Sequence, residues 1–167
     1  RLSQAVVYRQ DIFKLSLEKK TFSAVILWDV LEHVADPFGL LKRAYDLLKP
    51  GGCLIVGTVH RHGLSLRCFG KNAFVLSPPE HLSFFSKKGL RHLLAAVGYR
   101  VVDMQTEYIY LKEWMRFLGK PELLRYKKIR LGITSSRFLR AGIDGVNVIL
   151  KRVSLGDELV AVAQKPL

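Results

Sequence analysis

The sequence is poor in cysteine and in acidic residues, and it has no long apolar run. Its two cysteines, Cys53 and Cys68, are expected to be free thiols, because Cys53 falls in a predicted buried strand. Free thiols indicate a reducing environment, so we predict a cytoplasmic location. No apolar stretch approaches the roughly 18 residues that span a bilayer, and no signal peptide is visible. With 167 residues, 49% of them hydrophobic, the chain is the size of one domain with an ample core.

The shortage of acidic residues leaves a net charge of +13, from 27 lysines and arginines against 14 aspartates and glutamates. A chain this basic suits nucleic acid, an anionic membrane surface or an acidic substrate, and it equally suits a solvated basic surface. No RNA-binding signature is present, so nucleic acid is not an expected partner. The histidines at positions 33, 60, 62, 81 and 92 have no partner cysteines and no HExxH spacing, so no metal site is predicted.

Residues 22–58 predict a strand, a loop, a helix, a turn and a second strand. The apolar run 24–27 suits a strand buried on both faces, and 53–56 suits a second buried strand. Pro37 opens the helix, and the residues 49–52, Lys-Pro-Gly-Gly, stop it. The apolar face of this helix consists of Leu40, Leu41, Ala44, Leu47 and Leu48. Two buried strands joined by a helix form a βαβ unit with parallel strands, so we predict an α/β fold.

Three further strands are predicted around this unit, at residues 5–8, 99–110 and 158–163, the second of them at the edge of the sheet. Ser86 is the candidate cap of a helix that begins at Lys87 and ends at Gly98. Residues 61–79 have no clear period, which predicts a long loop of the kind that is usually functional or mobile.

Several motifs in this order resemble the class I S-adenosylmethionine-dependent methyltransferases, in particular the ubiquinone-biosynthesis type of O-methyltransferase. They are Asp-Val-Leu-Glu-His-Val at 29–34, Asp-Pro at 36–37 and Leu-Lys-Pro-Gly-Gly at 48–52. The segment Glu-His-Leu-Ser-Phe-Phe-Ser at 80–86 is also similar to that family. The resemblance covers residues 6–110 and the last strand, and the cofactor it implies is S-adenosylmethionine.

The resemblance implies a Rossmann-like methyltransferase sheet, mostly parallel, with an antiparallel last strand inserted beside its predecessor. In the family, the first strand ends in a glycine-rich turn, and an acidic residue after the second strand holds the ribose of the cofactor. No glycine precedes Gly39 in this sequence. We therefore predict that residues 1–167 form one incomplete, truncated methyltransferase domain without the N-terminal strands, and that such a sheet exposes an apolar edge and face.

Four candidate cofactor-binding residues follow from the resemblance. Asp11 and Ile12 match the position that meets the adenine ring, where a carboxylate accepts a hydrogen bond from the exocyclic amine. The alternative for Asp11 is a turn or cap aspartate. Trp28 and Asp29 match the backbone that lies near the methionine portion of the cofactor.

Two histidines are the candidate catalytic residues. His81 can accept a proton from a hydroxyl acceptor, since histidine titrates near neutrality. The alternative is a histidine that is hydrogen-bonded into its loop. By resemblance, Glu32 and His33 lie at the base of the site or brace its loop, and the structural role is at least as well supported as direct catalysis.

Residues 111–156 form a strongly basic insert with two or three helix-like segments, in which aromatic and aliphatic residues interleave with the cations. It can lie on an anionic membrane surface, form a lid over the acceptor, or pack as a plain helical subdomain. The predicted function is methyl transfer to a small-molecule acceptor by in-line displacement. The alternative is a non-catalytic scaffold that binds a membrane surface or nucleic acid through the insert.

Overall fold

The computed structural model describes residues 6–73, 75–76, 79–109, 114, 119, 145, 148–149 and 152–167. In this part of the chain the strands are β1 (Phe22–Trp28), β2 (Leu48–Val59), β3 (Arg100–Glu107) and β4 (Glu158–Gln164). The helices there are α1 (Pro37–Leu47), α2 (Leu64–Phe69) and α3 (Lys87–Val97), with short 3-10 turns at Leu31–His33 and Gly70–Asn72.

The described strands form one sheet in the order β1-β2-β4-β3. Strands β1 and β2 are parallel, and β4 runs antiparallel to both of its neighbours, β2 and β3. Strands β1, β2 and β3 therefore point the same way, and the last strand is inserted between the second and the third. This arrangement confirms the antiparallel last strand and the edge position of the strand predicted at 99–110.

The two longer helices begin and end where local signals predicted. The Asp36 carboxylate accepts from the Gly39 N–H at 2.8 Å at the start of α1, and Ser86 Oγ accepts from the Gly89 N–H at 3.0 Å at the start of α3. Gly98, with a φ of 110°, ends α3 in the left-handed region that glycine adopts most readily. Both helices pack on the sheet and on each other.

One core joins these helices to the sheet. Alternate residues of β2 and β4 face it, and they are Leu54, Val56, Leu159, Ala161 and Ala163. Leu40, Leu41 and Ala44 of the predicted apolar face of α1 are buried in the same core, together with Leu90, Leu94 and Val97 of α3. Leu47 is also buried, and Leu48, which was predicted on this helix face, is buried as the first residue of β2. Lys165, just after β4, reaches across to the end of α1, where its buried Nζ donates to the carbonyls of Tyr45 and Leu48 at 2.7 and 2.8 Å.

Two strand predictions are wrong in the first part of the chain. Residues 6–8, the described part of the strand predicted at 5–8, form no strand, and Val6 and Val7 are 72% and 80% exposed, because this segment does not pair with the free outer edge of β1. The run 24–27 is not buried on both faces, since Ile26 is 62% exposed. The physical reason is that Val25 and Leu27 pack on the core, whereas Ile26 between them lies on the other face of this outermost strand. Its exposed residues form the apolar edge that the sequence predicted.

Two boundary predictions also need correction. The segment 49–52 does end α1, but it already belongs to β2, because the Gly51 N–H donates to the Lys165 carbonyl and the Lys165 N–H donates to the Gly52 carbonyl. Residues 61–79 are not one irregular loop, since α2 and a 3-10 turn lie within them. Most of the basic insert at 111–156, including nearly all of its predicted helix-like segments, falls outside the described residues. Among those described, no helix has the length and apolarity to cross a bilayer.

Candidate functional site

The carboxyl ends of the parallel strands β1 and β2 lie side by side. We call this end of the sheet the carboxyl edge, and Trp28 and Asp29 lie there. Asp29 has a φ of 51°, which residues other than glycine seldom adopt, and its N–H donates to the Gly57 carbonyl at 3.0 Å. The Trp28 ring lies against Gly57, where an added Cβ atom would come within 2.8 Å of the ring. Trp28 and Asp29 are both exposed, so this edge presents an aromatic ring and a carboxylate to a ligand.

Glu32 joins this edge to two neighbouring segments. Its side chain is buried, and Oε2 accepts a hydrogen bond from the Thr58 hydroxyl, at the end of β2, at 2.8 Å. Its carbonyl accepts from the N–H groups of Leu82 and Ser83, at 2.7 and 3.2 Å. Through these contacts Glu32 braces the loop that follows β1. They hold the segment after His81 against the 3-10 turn that contains His33.

The two candidate catalytic histidines lie side by side, with ring centroids 4.7 Å apart. His33 Nδ1 is 2.7 Å from the Glu80 carbonyl oxygen, and His81 Nδ1 is 2.6 Å from the Val75 carbonyl oxygen. Because a carbonyl oxygen only accepts, both Nδ1 atoms carry a proton. In the neutral rings the Nε2 atoms then hold the lone pairs, which is the tautomer that a proton acceptor needs.

The Nε2 atoms have different surroundings. His33 Nε2 lies 4.0 Å from Glu32 Oε1, and the two form an ion pair when the ring is protonated. His81 is partly buried, and its ring also packs edge-on against Phe84, with centroids 6.1 Å apart. The arrangement can therefore take a proton at His81 and stabilise positive charge at His33.

Glu32, His33 and His81 also form a group that sequence reasoning missed. One potential ligand atom from each lies within 4.8 Å of the other two. Imidazole nitrogen together with carboxylate oxygen suits divalent transition metals, so this group could hold such an ion. No sequence signal could have found it, because the glutamate and the first histidine are adjacent in the chain and the second histidine belongs to a different loop.

Asp11 and Ile12 lie in a turn that packs beneath α1. Asp11 Oδ1 accepts from the Phe13 N–H at 3.0 Å, which is the turn role that the sequence raised as the alternative. Ile12 is partly buried against the main core, and its carbonyl accepts from Arg43 Nε of α1 at 3.4 Å. Contact of Asp11 and Ile12 with adenine stays a prediction.

Tyr108, directly after β3, is a further residue that sequence reasoning missed. Burial, followed by the charges of Glu158, Asp29 and Glu107, raises the pKa of Tyr108 to about 12. Its hydroxyl therefore stays protonated at neutral pH and remains a hydrogen-bond donor. The sequence showed Tyr108 merely as part of a β-rich run.

Comparison with known proteins decides the family. A family profile described as "Methyltransferase domain" matches residues 3–104 of the chain. The chain belongs to the methyltransferase domain family. The match spans the motifs at 29–37, 48–52 and 80–86, strands β1 and β2, and most of β3. It confirms the predicted membership of the S-adenosylmethionine-dependent methyltransferases.

The methyltransferase chain is also similar to curated proteins named ubiquinone biosynthesis O-methyltransferase. The protein from Xanthomonas campestris pv. campestris is 33% identical over 92 residues, which cover 54% of this chain and 36% of the relative. The protein from Methylocella silvestris is 29% identical over 122 residues, which cover 72% of this chain and 37% of the relative. The chain thus matches little more than a third of the length of either relative.

Solved structures confirm the Rossmann-like methyltransferase fold. A methyltransferase from Thermotoga maritima, described as a possible histamine N-methyltransferase, aligns with a TM-score of 0.58 at 21% identity, over 93% of this chain and 61% of that one. A methyltransferase from Archaeoglobus fulgidus aligns with a TM-score of 0.57 at 18% identity, over 95% and 66%. At these identities the likeness concerns the fold.

Proposed function

We propose that this methyltransferase chain transfers the methyl group of S-adenosylmethionine to a small-molecule acceptor by in-line displacement. The observation that supports this most is the pairing of His33 and His81, 4.7 Å apart between ring centroids, next to the edge that carries Trp28 and Asp29. The curated relatives are named as O-methyltransferases of ubiquinone biosynthesis, which favours a hydroxyl group as the acceptor.

The residues present fit part of this cofactor. S-adenosylmethionine carries an ammonium group and an adenine amine, both hydrogen-bond donors, and the exposed carboxylates of Asp29 and Asp11 are acceptors. The exposed ring of Trp28 and the side chain of Ile12 offer apolar surface. Since no glycine precedes Gly39, the glycine-rich turn of the family has no counterpart before that residue. When bound, the cofactor supplies an electrophilic methyl group.

The chain contributes position and proton transfer. His81 Nε2 accepts the proton of the acceptor hydroxyl, while its Nδ1–H stays on the Val75 carbonyl and fixes the orientation of the ring. The Glu32 carboxylate, which has a ligand atom within 4.8 Å of one on His81, stabilises the positive charge that develops on that ring. Holding the reacting groups in line supplies the larger part of the rate enhancement, because a bound pair no longer loses translational and rotational freedom in the transition state.

Calorimetric titration with S-adenosylhomocysteine tests the proposal, on the 167-residue chain and on the longest form that its gene encodes. We expect Asp29→Asn to weaken binding by about 10-fold to 100-fold, as the loss of a hydrogen bond between charged groups does. Asp103→Asn is the matched control, since Asp103 is an exposed carboxylate on β3. If neither form binds S-adenosylhomocysteine, the proposal fails.

A second measurement addresses the base. His81→Ala should lower the turnover number with a hydroxyl acceptor by about 100-fold or more, the usual contribution of a general base. His92→Ala is the control, because His92 is exposed on α3. An unchanged turnover number in His81→Ala removes the proposed base role.

A further inference from the structure

An open groove lies between α2 and the segment that leads to Phe85. Its volume is about 460 Å³. Its walls are formed by Arg61, Leu66, Arg67, Gly70, Leu76 and Phe84. Two arginines thus line a groove whose other lining side chains are aliphatic or aromatic. Such a lining suits a molecule with an apolar body and one anionic end.

The two arginines have no acidic partner among the described residues. The ion pairs in that part of the chain join Lys19 and Lys42 to Asp46, and His33 to Glu32. Within the described residues, Arg61 and Arg67 donate hydrogen bonds through their backbone N–H groups, to the carbonyls of Phe85 and Gly63 respectively. Both side chains are exposed, so their charges can bind an anion from solution.

The charges next to the groove also favour an anionic ligand. His60, adjacent to Arg61, is buried, and burial is the main reason that its pKa is lowered. The charges of Lys87 and Arg67, and the neighbouring ring of His62, lower the pKa of His60 further. Several cationic groups therefore lie around one end of β2, and an anion placed there would relieve their mutual repulsion.

The groove adjoins the candidate site through one shared residue. Phe84 lines the groove, and its ring centroid lies 6.1 Å from that of His81. The His60–Phe85 bridge and the Arg61 N–H bond to the Phe85 carbonyl fix the wall between them. Phe84 therefore belongs both to the groove and to the immediate surroundings of His81.

We propose that this groove is the acceptor subsite for an acidic group, in which Arg61 and Arg67 bind a carboxylate or phosphate while Leu66, Leu76 and Phe84 contact the apolar body. The assignment rests on the proposed function, because it treats the molecule at His81 as the methyl acceptor. A planar guanidinium binds either oxyanion through two parallel hydrogen bonds, which a lysine cannot do. The substrate class is thus an amphipathic acid with a nucleophilic hydroxyl at the end away from its charge.

Calorimetric titration of the chain without cofactor tests the subsite. The probes are phenylacetate and phenyl phosphate, with phenylacetamide as the neutral analogue of the same shape. We expect both anions to bind about tenfold or more tightly than the amide, and Arg61→Ala and Arg67→Ala each to weaken anion binding by about tenfold. The amide should respond to neither substitution. A preference between the two anions tells which acid the acceptor carries.

Two further variants keep the result interpretable. Arg61→Lys keeps the charge and loses the bidentate geometry, so it should bind the anions less tightly than the parent chain and more tightly than Arg61→Ala. Arg91→Ala removes an exposed arginine of α3, outside the groove, and should change nothing. Equal affinity for acid and amide, or equal losses in Arg91→Ala and Arg61→Ala, overturns the subsite. Because these titrations contain no cofactor, a failed groove with intact S-adenosylhomocysteine binding sinks this assignment and leaves the methyl transfer standing.

Discussion

Replacing Thr58 with valine is the sharpest test of how the candidate site is held together. Thr58 is fully buried, and its hydroxyl donates to the buried Glu32 carboxylate at 2.8 Å. Valine has nearly the same shape, so the substitution removes the donor without opening a cavity. A hydrogen bond to a charged group contributes about 1.5–3 kcal/mol, and the carboxylate oxygen left behind is buried. We therefore expect Thr58→Val to lower the free energy of unfolding by about 1.5–3 kcal/mol.

Urea unfolding followed by tryptophan fluorescence measures this change, and thermal unfolding should show a midpoint lower by about 3–12 °C for a domain of this size. The control is Thr21→Val, at an exposed threonine whose hydroxyl donates to the Glu18 carbonyl at 2.8 Å. We expect the control to change the free energy of unfolding by no more than about 0.5 kcal/mol.

Measuring Thr58→Val in a Glu32→Gln chain separates the effect of the Glu32 charge from the effect of side-chain shape. In a Glu32→Gln chain the Thr58 hydroxyl meets a neutral amide oxygen, so Thr58→Val should cost about 0.5–1.5 kcal/mol there. The same loss in both backgrounds would show that the charge of Glu32 does not strengthen this hydrogen bond. A loss below about 0.5 kcal/mol in the parent chain would refute the anchoring role of Thr58.

Two further predictions concern buried ionisable groups. Burial lowers the pKa of His60 below 6.5 in the folded chain. Between that lowered pKa and 6.5, the unfolded chain therefore binds more protons than the folded chain. The free energy of unfolding should fall as pH is lowered through this window, by at most about 1.4 kcal/mol per pH unit. Thermal unfolding between about pH 8 and about pH 5 should show this fall and a flatter profile for His60→Gln; parallel profiles would contradict it. Lys165→Met removes the two hydrogen bonds that the ammonium donates to the Tyr45 and Leu48 carbonyls. We expect the free energy of unfolding in urea to fall by about 2–4 kcal/mol. This figure allows for the desolvation cost of the buried ammonium, which methionine does not have. Lys49→Met, at an exposed lysine, should stay within about 0.5 kcal/mol, and an equal effect at the two positions would refute the role of Lys165.

Local signals in the sequence predicted the parts of the fold that local physics determines. Pro37, Ser86 and Gly98 mark helix ends through their own backbone geometry or contacts a few positions away, so a short stretch of sequence reveals them. Helix α2 was missed because its first turn is held from a distance. The Ser65 N–H donates to the Asp157 carboxylate, 92 positions later. No pattern within the segment 61–79 could show that partner.

The candidate site also has parts that local sequence reveals and parts that depend on distant contacts. The loop motif that contains Glu32 and His33 was visible, and so was the segment with His81, because each is a contiguous run of residues. That their rings meet was not visible. Their proximity depends on the Glu32 carbonyl, which accepts from Leu82 and Ser83 in a segment that lies far along the chain. The exposure of Ile26 was also hidden, since an apolar run reads alike at the edge and in the middle of a sheet.

The position of β4 in the sheet has a consequence for how the protein is made. Strand β3 ends at Glu107, and β4, its neighbour in the sheet, begins at Glu158. During synthesis the ribosome must add the whole intervening stretch before β3 can pair, which takes several seconds at about 5–20 residues per second. Through that interval β1, β2 and α1 can assemble, while β2 and β3 each expose an unpaired edge. The nascent chain therefore passes through a stage at which a chaperone or a second nascent chain competes with β4 for the same hydrogen-bonding groups.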